Sequence, residues 1–226
     1  MFARKTFSLL SNHVHKVIVT SGNHDMIENN KNRLDNIIPI TTNLPNVHYI
    51  KDTSISQINN LLIYNNSLVD NKFIRNKINP PNPDQKYIHI ALYHGMLSSA
   101  RLYNNTIITQ ENFTNIKSLT DFSSFDITLL GDIHKRQLLY NTKHVLKAVY
   151  PGSLIQQNFG ESIANHGYIK WNINNTPTSS SITDFNEIDI PNETGYINVI
   201  VQNNLSQNQI ESKFLFSIKN NEDISH

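Results

Sequence analysis

Asn23, His24 and Asp25 stand side by side in the run Ser21-Gly22-Asn23-His24-Asp25, directly after the apolar Val17-Ile18-Val19. An amide offers a neutral carbonyl oxygen to a hard cation, an imidazole can sit on a phosphate or pass a proton, and a carboxylate can fix an imidazole tautomer from behind. Two later runs share this construction: Tyr87-Ile88-His89-Ile90-Ala91-Leu92-Tyr93 leads into His94-Gly95, and Phe125-Asp126-Ile127-Thr128-Leu129-Leu130 leads into Gly131-Asp132-Ile133-His134. Each reads as a buried strand that opens into a tight polar turn. Along an extended strand end Asp132 and His134 fall on one side, two residues apart, so both are expected to reach one centre. Asn23, His94, Asp132 and His134 combine amide and carboxylate oxygens with imidazole, a set that suits a divalent cation such as Mn²⁺. His24 is the natural group behind a ligand or facing a substrate. His89, inside its strand, reads as a core or hydrogen-bonded histidine.

The elements that must position these turns follow from periodicity. Phe2, Phe7, Leu9 and Leu10 predict a helix over about Phe2 to Asn12, ahead of the Val17 strand. A short helix is expected from Arg33 to Ile40, ending at or before Pro39. Val47-His48-Tyr49-Ile50 and Leu61-Leu62-Ile63-Tyr64 read as short strands, and Asn79-Pro80-Pro81-Asn82-Pro83-Asp84 as a surface loop. Phe113, Ile116 and Leu119 predict a helix over Gln110 to Leu119. Strands are expected at Val145 to Tyr150, His166 to Trp171, Ile182 to Ile190 and Gly195 to Val201. Asn174 to Ser181 reads as a linker or long hairpin loop, and Leu205 to Phe216 as a helix with Asn204 as its N-cap. Early alternation of helix and strand followed by a run of strands predicts an α/β sandwich of mixed sheets with helices outside. Lys135 and Arg136 can meet a phosphodiester backbone, with a solvated basic pair as the plainer alternative.

Composition narrows the chemistry. The 226 residues include no cysteine, which excludes disulfides and thiolate zinc sites. A net charge of +1 with 16% charged residues creates no global field for a polyanion, so a nucleic-acid partner has to be argued locally. No apolar run approaches membrane-spanning length and no signal peptide is evident, so an intracellular, soluble protein is expected.

Gly22-Asn23-His24-Asp25, His94-Gly95 and Gly131-Asp132-Ile133-His134 resemble, in order and spacing, the later motifs of calcineurin-like metallophosphoesterases. Leu130 to Gln137 and the run Tyr150-Pro151-Gly152-Ser153-Leu154-Ile155-Gln156-Gln157-Asn158-Phe159-Gly160-Glu161 are similar, more narrowly, to SbcD-type DNA repair exonucleases of phages and large DNA viruses. The second run is the more specific, because no metal ligand requires it. The resemblance implies an α/β/β/α sandwich and a two-metal Mn²⁺ phosphodiesterase. Asn23 and His94 would bind one ion and His134 the other, with Asp132 standing where the family has a histidine. His24 would contact the scissile phosphate, with Asp25 orienting it. DNA as substrate, an SbcC-type ATPase as partner and homodimers are also implied.

The family's Asp-x-His and Gly-Asp motifs, which follow its first two strands, are not found here. The sequence therefore reads as a metallophosphoesterase domain over residues 1–190 that lacks its first two strands, with the start of a capping domain over 191–226. The segment that binds the ATPase is expected beyond it, and upstream DNA is expected to encode the two missing motifs. By itself such a chain is expected to bind at most one Mn²⁺ and not to cleave DNA. Hydrolysis of small phosphoesters, or a catalytically dead binding remnant, are the competing readings.

Overall fold

The computed structural model describes residues 2–27, 30, 32, 34–176, 179–191 and 195–196. In order, the chain forms α1 (Phe2–His13), β1 (Val17–Val19), α2 (Ile37–Thr41), β2 (Val47–Tyr49), β3 (Ser54–Ile58), β4 (Leu61–Asn66) and β5 (Ile88–His94). A 3₁₀ turn (Leu119–Phe122) then precedes β6 (Ile127–Gly131), β7 (Gln137–Tyr140), β8 (Leu146–Tyr150), β9 (Gly167–Asn175) and β10 (Ser180–Asp189). The architecture is mixed α/β with few helices. No described helix is long and apolar enough to cross a membrane.

A six-stranded mixed sheet in the order β3-β4-β5-β6-β8-β7 organises the molecule. Its four central strands β4, β5, β6 and β8 run parallel, and the outer strands β3 and β7 pair antiparallel to their neighbours. Alternation along the central strands supplies two apolar faces. Tyr64, Ala91, Tyr93, Leu130, Ala148 and Tyr150 point to one core, where Phe122 and Phe125 fill the space. Ile88, Ile90, Ile127 and Val149 point to the other, which Ile169, Trp171, Ile173 and Ile182 of the β9–β10 hairpin cover. His89 lies in the sheet interior as expected, with the Tyr64 hydroxyl 2.8 Å from its Nδ1.

β1 and β2 form a separate parallel pair, Val17 opposite Val47 and Val19 opposite Tyr49. Asn65 of β4 binds this pair to the large sheet. Its amide nitrogen donates to the carbonyls of Ile50 and Asp52, and its oxygen accepts the Thr20 hydroxyl at 2.8 Å. The end of β1 is therefore set relative to β4 by buried hydrogen bonds.

Several expected elements differ. No helix forms over 110–119. The Asn112 side chain accepts both the Thr109 N–H and hydroxyl, Asn115 adopts φ +57°, and Ser118 with Asp121 makes a capping box that starts only the 3₁₀ turn. Local side-chain bonds outcompete the apolar spacing there. α2 begins at Ile37, so Pro39 falls in its first turn, where its missing N–H costs nothing. Of the two readings of 174–181 the hairpin holds and the linker does not, because Asn174 and Asn175 of β9 pair with Ser181 and Ser180 of β10. Strands β3 and β7 were not expected. The strand predicted from Gly195, the helix predicted from Leu205 and nearly all of 191–226 lie outside the described residues.

Asp35 secures the N-terminus of α2. One carboxylate oxygen accepts the N–H groups of Ile37 and Ile38, and the other meets Lys51 Nζ at 3.2 Å. Burial pushes its pKa up, but the Ile38 N–H and Lys51 outweigh burial and hold it below the ordinary 3.8. With a depressed folded value, this stabilisation is complete above the unfolded pKa and disappears as pH falls through the folded one. Asp35→Asn should cost about 1–2 kcal/mol at pH 7, measured by urea denaturation, and the two midpoints should converge as the pH drops below 3.8. A gap that persists unchanged in acid would contradict the assignment.

Candidate functional site

The three polar turns meet. His94 closes β5 and Asp132 follows β6, whose Gly131 pairs with His94 across the ladder, so both lie at the carboxyl ends of adjacent parallel strands. Asn23 arrives from the turn after β1. Its Oδ1 is 3.2 Å from His94 Nε2, its Nδ2 donates to Asp132 Oδ1 at 3.4 Å, and Asp132 Oδ1 is 3.7 Å from His94 Nε2.

The His94 ring is clamped between two glycines. A Cβ on Gly22 would lie 2.7 Å from His94 Cε1, and one on Gly131 would lie 2.7 Å from His94 Nδ1, both far inside contact distance. Those glycines are needed for the space they leave and not for their backbone freedom. Burial lowers the His94 pKa, with Asp132 and Asp25 pulling it back up and His24 and His134 opposing them. The net shift is downward, which favours the neutral imidazole that a cation needs.

Asp132 is held at φ +91°. A non-glycine residue there carries backbone strain of the kind that collects at functional sites, and aspartate tolerates it better than most residues. The strand ends at Gly131 and the backbone turns at Asp132, so the alternation expected to bring Asp132 and His134 to one side does not operate. Asp132 turns to Asn23 and His94. His134 turns to Glu161, with Nδ1 2.7 Å from the carboxylate. The two nevertheless line one cavity of about 350 Å³, while Asp132 also lines a cleft of about 430 Å³ with Asn23 and His94.

Glu161 is the partner of His134 that spacing did not reveal. It is 8% exposed, and its carboxylate accepts from His134 Nδ1, Asn158 Nδ2 at 2.8 Å, the Gln157 N–H at 2.9 Å and the Ser153 hydroxyl at 3.4 Å. A carboxylate oxygen accepts here, so Nδ1 of His134 is the donor and Nε2 is the ring nitrogen turned away from Glu161. The Ser153 hydroxyl also lies 2.9 Å from Nδ1 of the buried His166, whose Nε2 donates to the Ser162 carbonyl. At the other end of the run, the Tyr150 hydroxyl donates to the Gly95 carbonyl at 2.7 Å and accepts the Leu97 N–H. Gly152, at φ +80°, lets the Ser153 N–H reach the His134 carbonyl at 3.0 Å. The Tyr150 to Glu161 segment thus braces the loop after His94 and the His134 imidazole together. A pairing of residues 27 apart has no local signature.

His24 is exposed and makes no hydrogen bond among the described residues. The Asp25 carboxylate accepts the Gly22 N–H at 2.9 Å, closing the turn, and its carbonyl accepts the Asn36 N–H. Arg136 is neither solvated nor free for a phosphodiester. It is pinned to Asp189 at 2.6 Å and to the carbonyls of Ile188 and Pro151, tying β10 to the Pro151 loop. Lys135 Nζ donates to Asn105 Oδ1 at 2.7 Å.

No family model matches the chain. An uncharacterized protein of Acanthamoeba polyphaga mimivirus is similar to it, 31% identical over 221 residues that span 89% of this chain. The chain covers 15% of that protein's length.

Two oxygen atoms lie at or near the spacing of neighbouring cation ligands around His94 Nε2. Adjacent ligands of an octahedral ion with bonds near 2.1 Å stand about 3 Å apart, close to the 3.2 Å between Asn23 Oδ1 and His94 Nε2 and below the 3.7 Å between His94 Nε2 and Asp132 Oδ1. Among the described residues no group of three or more His, Asp or Glu gathers for a metal, so the set depends on the Asn23 amide. Gly131→Ala should therefore weaken Mn²⁺ binding at least roughly tenfold by displacing the His94 ring while the fold persists. Calorimetric titration beside circular dichroism checks this, and unchanged affinity would show that the clamp is unimportant.

Proposed function

We propose that this chain carries the metal- and phosphate-binding site of a calcineurin-like, SbcD-type metallophosphoesterase that acts as a phosphodiesterase on DNA in repair or recombination, inside the cell. The observation that carries the reading is the approach of two oxygen atoms to His94 Nε2, Asn23 Oδ1 at 3.2 Å and Asp132 Oδ1 at 3.7 Å, beside the His134 imidazole oriented by a buried glutamate. The mixed sheet is compatible with the α/β/β/α sandwich of that family.

In this reading Asn23, His94 and Asp132 hold one divalent ion, most simply Mn²⁺, and His134 offers a single ligand towards a second. Bound metal would neutralise phosphate charge and supply an activated water. His24, at the exposed tip of the first turn, would donate to a phosphate or leaving-group oxygen. Gly22 and Gly131 keep the His94 ring in its slot, and Glu161 keeps the His134 imidazole aligned, before substrate arrives. A carboxylate shared by two ions is not among the described residues, so residues 1–226 alone should bind one Mn²⁺ and hold DNA without degrading it.

Titration with Mn²⁺ while the binding of a labelled DNA oligonucleotide is followed tests this. Mn²⁺ should strengthen DNA binding, and the gain should vanish in His94→Ala. His24→Ala should keep Mn²⁺ affinity nearly intact and lose roughly tenfold of the Mn²⁺-dependent gain, the scale of a charge-assisted hydrogen bond. Loss of metal in that variant would contradict its role at the phosphate.

Asp132 offers a sharper check. Asp132→Ala should weaken Mn²⁺ binding, and Asp132→His should restore much of it, since imidazole is also a ligand and histidine tolerates positive φ. A harmless Asp132→Ala would remove the residue from the site.

A further inference from the structure

The cleft of about 430 Å³ that contains Asn23, His94 and Asp132 is also lined by Lys72, Phe73 and Lys117, which no step above uses. Lys117 is not a loosely solvated cation. Its Nζ lies 4.7 Å from the centroid of the Phe73 ring, and Phe73 is braced edge-on by Tyr93 at 5.9 Å and Phe122 at 5.3 Å. Asp70, the acidic residue of the same wall, is already engaged. Its carboxylate accepts the Thr53 N–H and hydroxyl and the Lys72 N–H. The remaining polar lining is neutral amide and hydroxyl, including Asn71 and Thr114.

A wall with two ammonium groups, neutral donors and a satisfied carboxylate selects an anion. A single phosphate at the His94–Asp132 cluster leaves those lysines unused. Building on the reading of that cluster as a phosphodiester site, the geometry points to Lys72 and Lys117 as a subsite for the phosphate of the neighbouring nucleotide in a single polynucleotide strand. A volume of this size suits one nucleotide unit. The Phe73 ring carries Lys117 and, at 5.3 Å, Arg75, so cations and not a base lie over it. Recognition is therefore of the backbone and indifferent to base identity.

Fluorescence anisotropy with a labelled oligothymidylate and a labelled oligoadenylate, in EDTA and across a series of NaCl concentrations, tests the subsite. Lys72→Met/Lys117→Met keeps the apolar stems that pack on the wall and removes only the charges. Its Kd should rise roughly tenfold for both oligonucleotides and its salt slope should fall by about 1.4, the expectation for two phosphate contacts on a single strand. Lys5→Met/Lys170→Met, altering two exposed lysines on α1 and β9, should match the unmodified protein. Equal losses in both double variants, or no oligonucleotide binding by the unmodified protein, would overturn the subsite. Calorimetric Mn²⁺ titration separates the two ideas. His94-dependent Mn²⁺ binding with unaltered oligonucleotide affinity in the Lys72/Lys117 variant rejects the subsite alone, whereas lysine-dependent binding without any Mn²⁺ site upholds the subsite and rejects the metal reading.

Discussion

The space around one imidazole governs this structure. His94 sits where β5 ends, and its ring occupies a slot that exists only because Gly22 and Gly131 have no side chains. Those glycines come from turns more than a hundred residues apart in sequence, so the slot can form only when β1, β5 and β6 are correctly placed. Asn65 fixes the β1–β2 pair against β4, and the parallel ladder fixes β5 against β6. The donor atoms of Asn23 and Asp132 then approach Nε2 without any further adjustment.

Preorganisation extends outward in a second direction. Glu161 is buried, and a buried carboxylate is costly unless it is fully hydrogen-bonded. Here Ser153, Gln157, Asn158 and His134 meet the need. The Tyr150 hydroxyl does comparable work at the Gly95 loop, where burial pushes its pKa well above the ordinary tyrosine value and keeps it a neutral donor. One contiguous segment thereby braces the loop after His94 and the His134 imidazole, which accounts for a specific run of residues that contributes no proposed metal ligand.

Much of this was legible in the sequence because its signals are local. The β-branched runs ending in Gly-Asn-His-Asp, His-Gly and Gly-Asp-Ile-His announce buried strands and polar turns, and β1, β5 and β6 lie where those runs lie. What escaped depends on contacts between distant segments. Glu161 pairs with His134 across a loop, Arg136 is claimed by Asp189 from the β9–β10 hairpin, and the Lys72 and Lys117 wall joins two loops with no shared motif. The false helix over 110–119 has a different cause. Asn112 and Ser118 bond the backbone locally and Asn115 turns it to positive φ, so the i to i−4 bond from the Phe113 N–H to the Thr109 carbonyl is not continued into a helix.

The central claim is that Asn23, His94 and Asp132 together form a cation site. Crystals of the chain soaked in Mn²⁺, with diffraction recorded above and below the manganese absorption edge, test it most directly. The account predicts one strong anomalous peak within about 2.3 Å of Asn23 Oδ1, His94 Nε2 and an Asp132 carboxylate oxygen. An anomalous peak at other side chains, or none at saturating Mn²⁺ with the His94 slot intact, would contradict it.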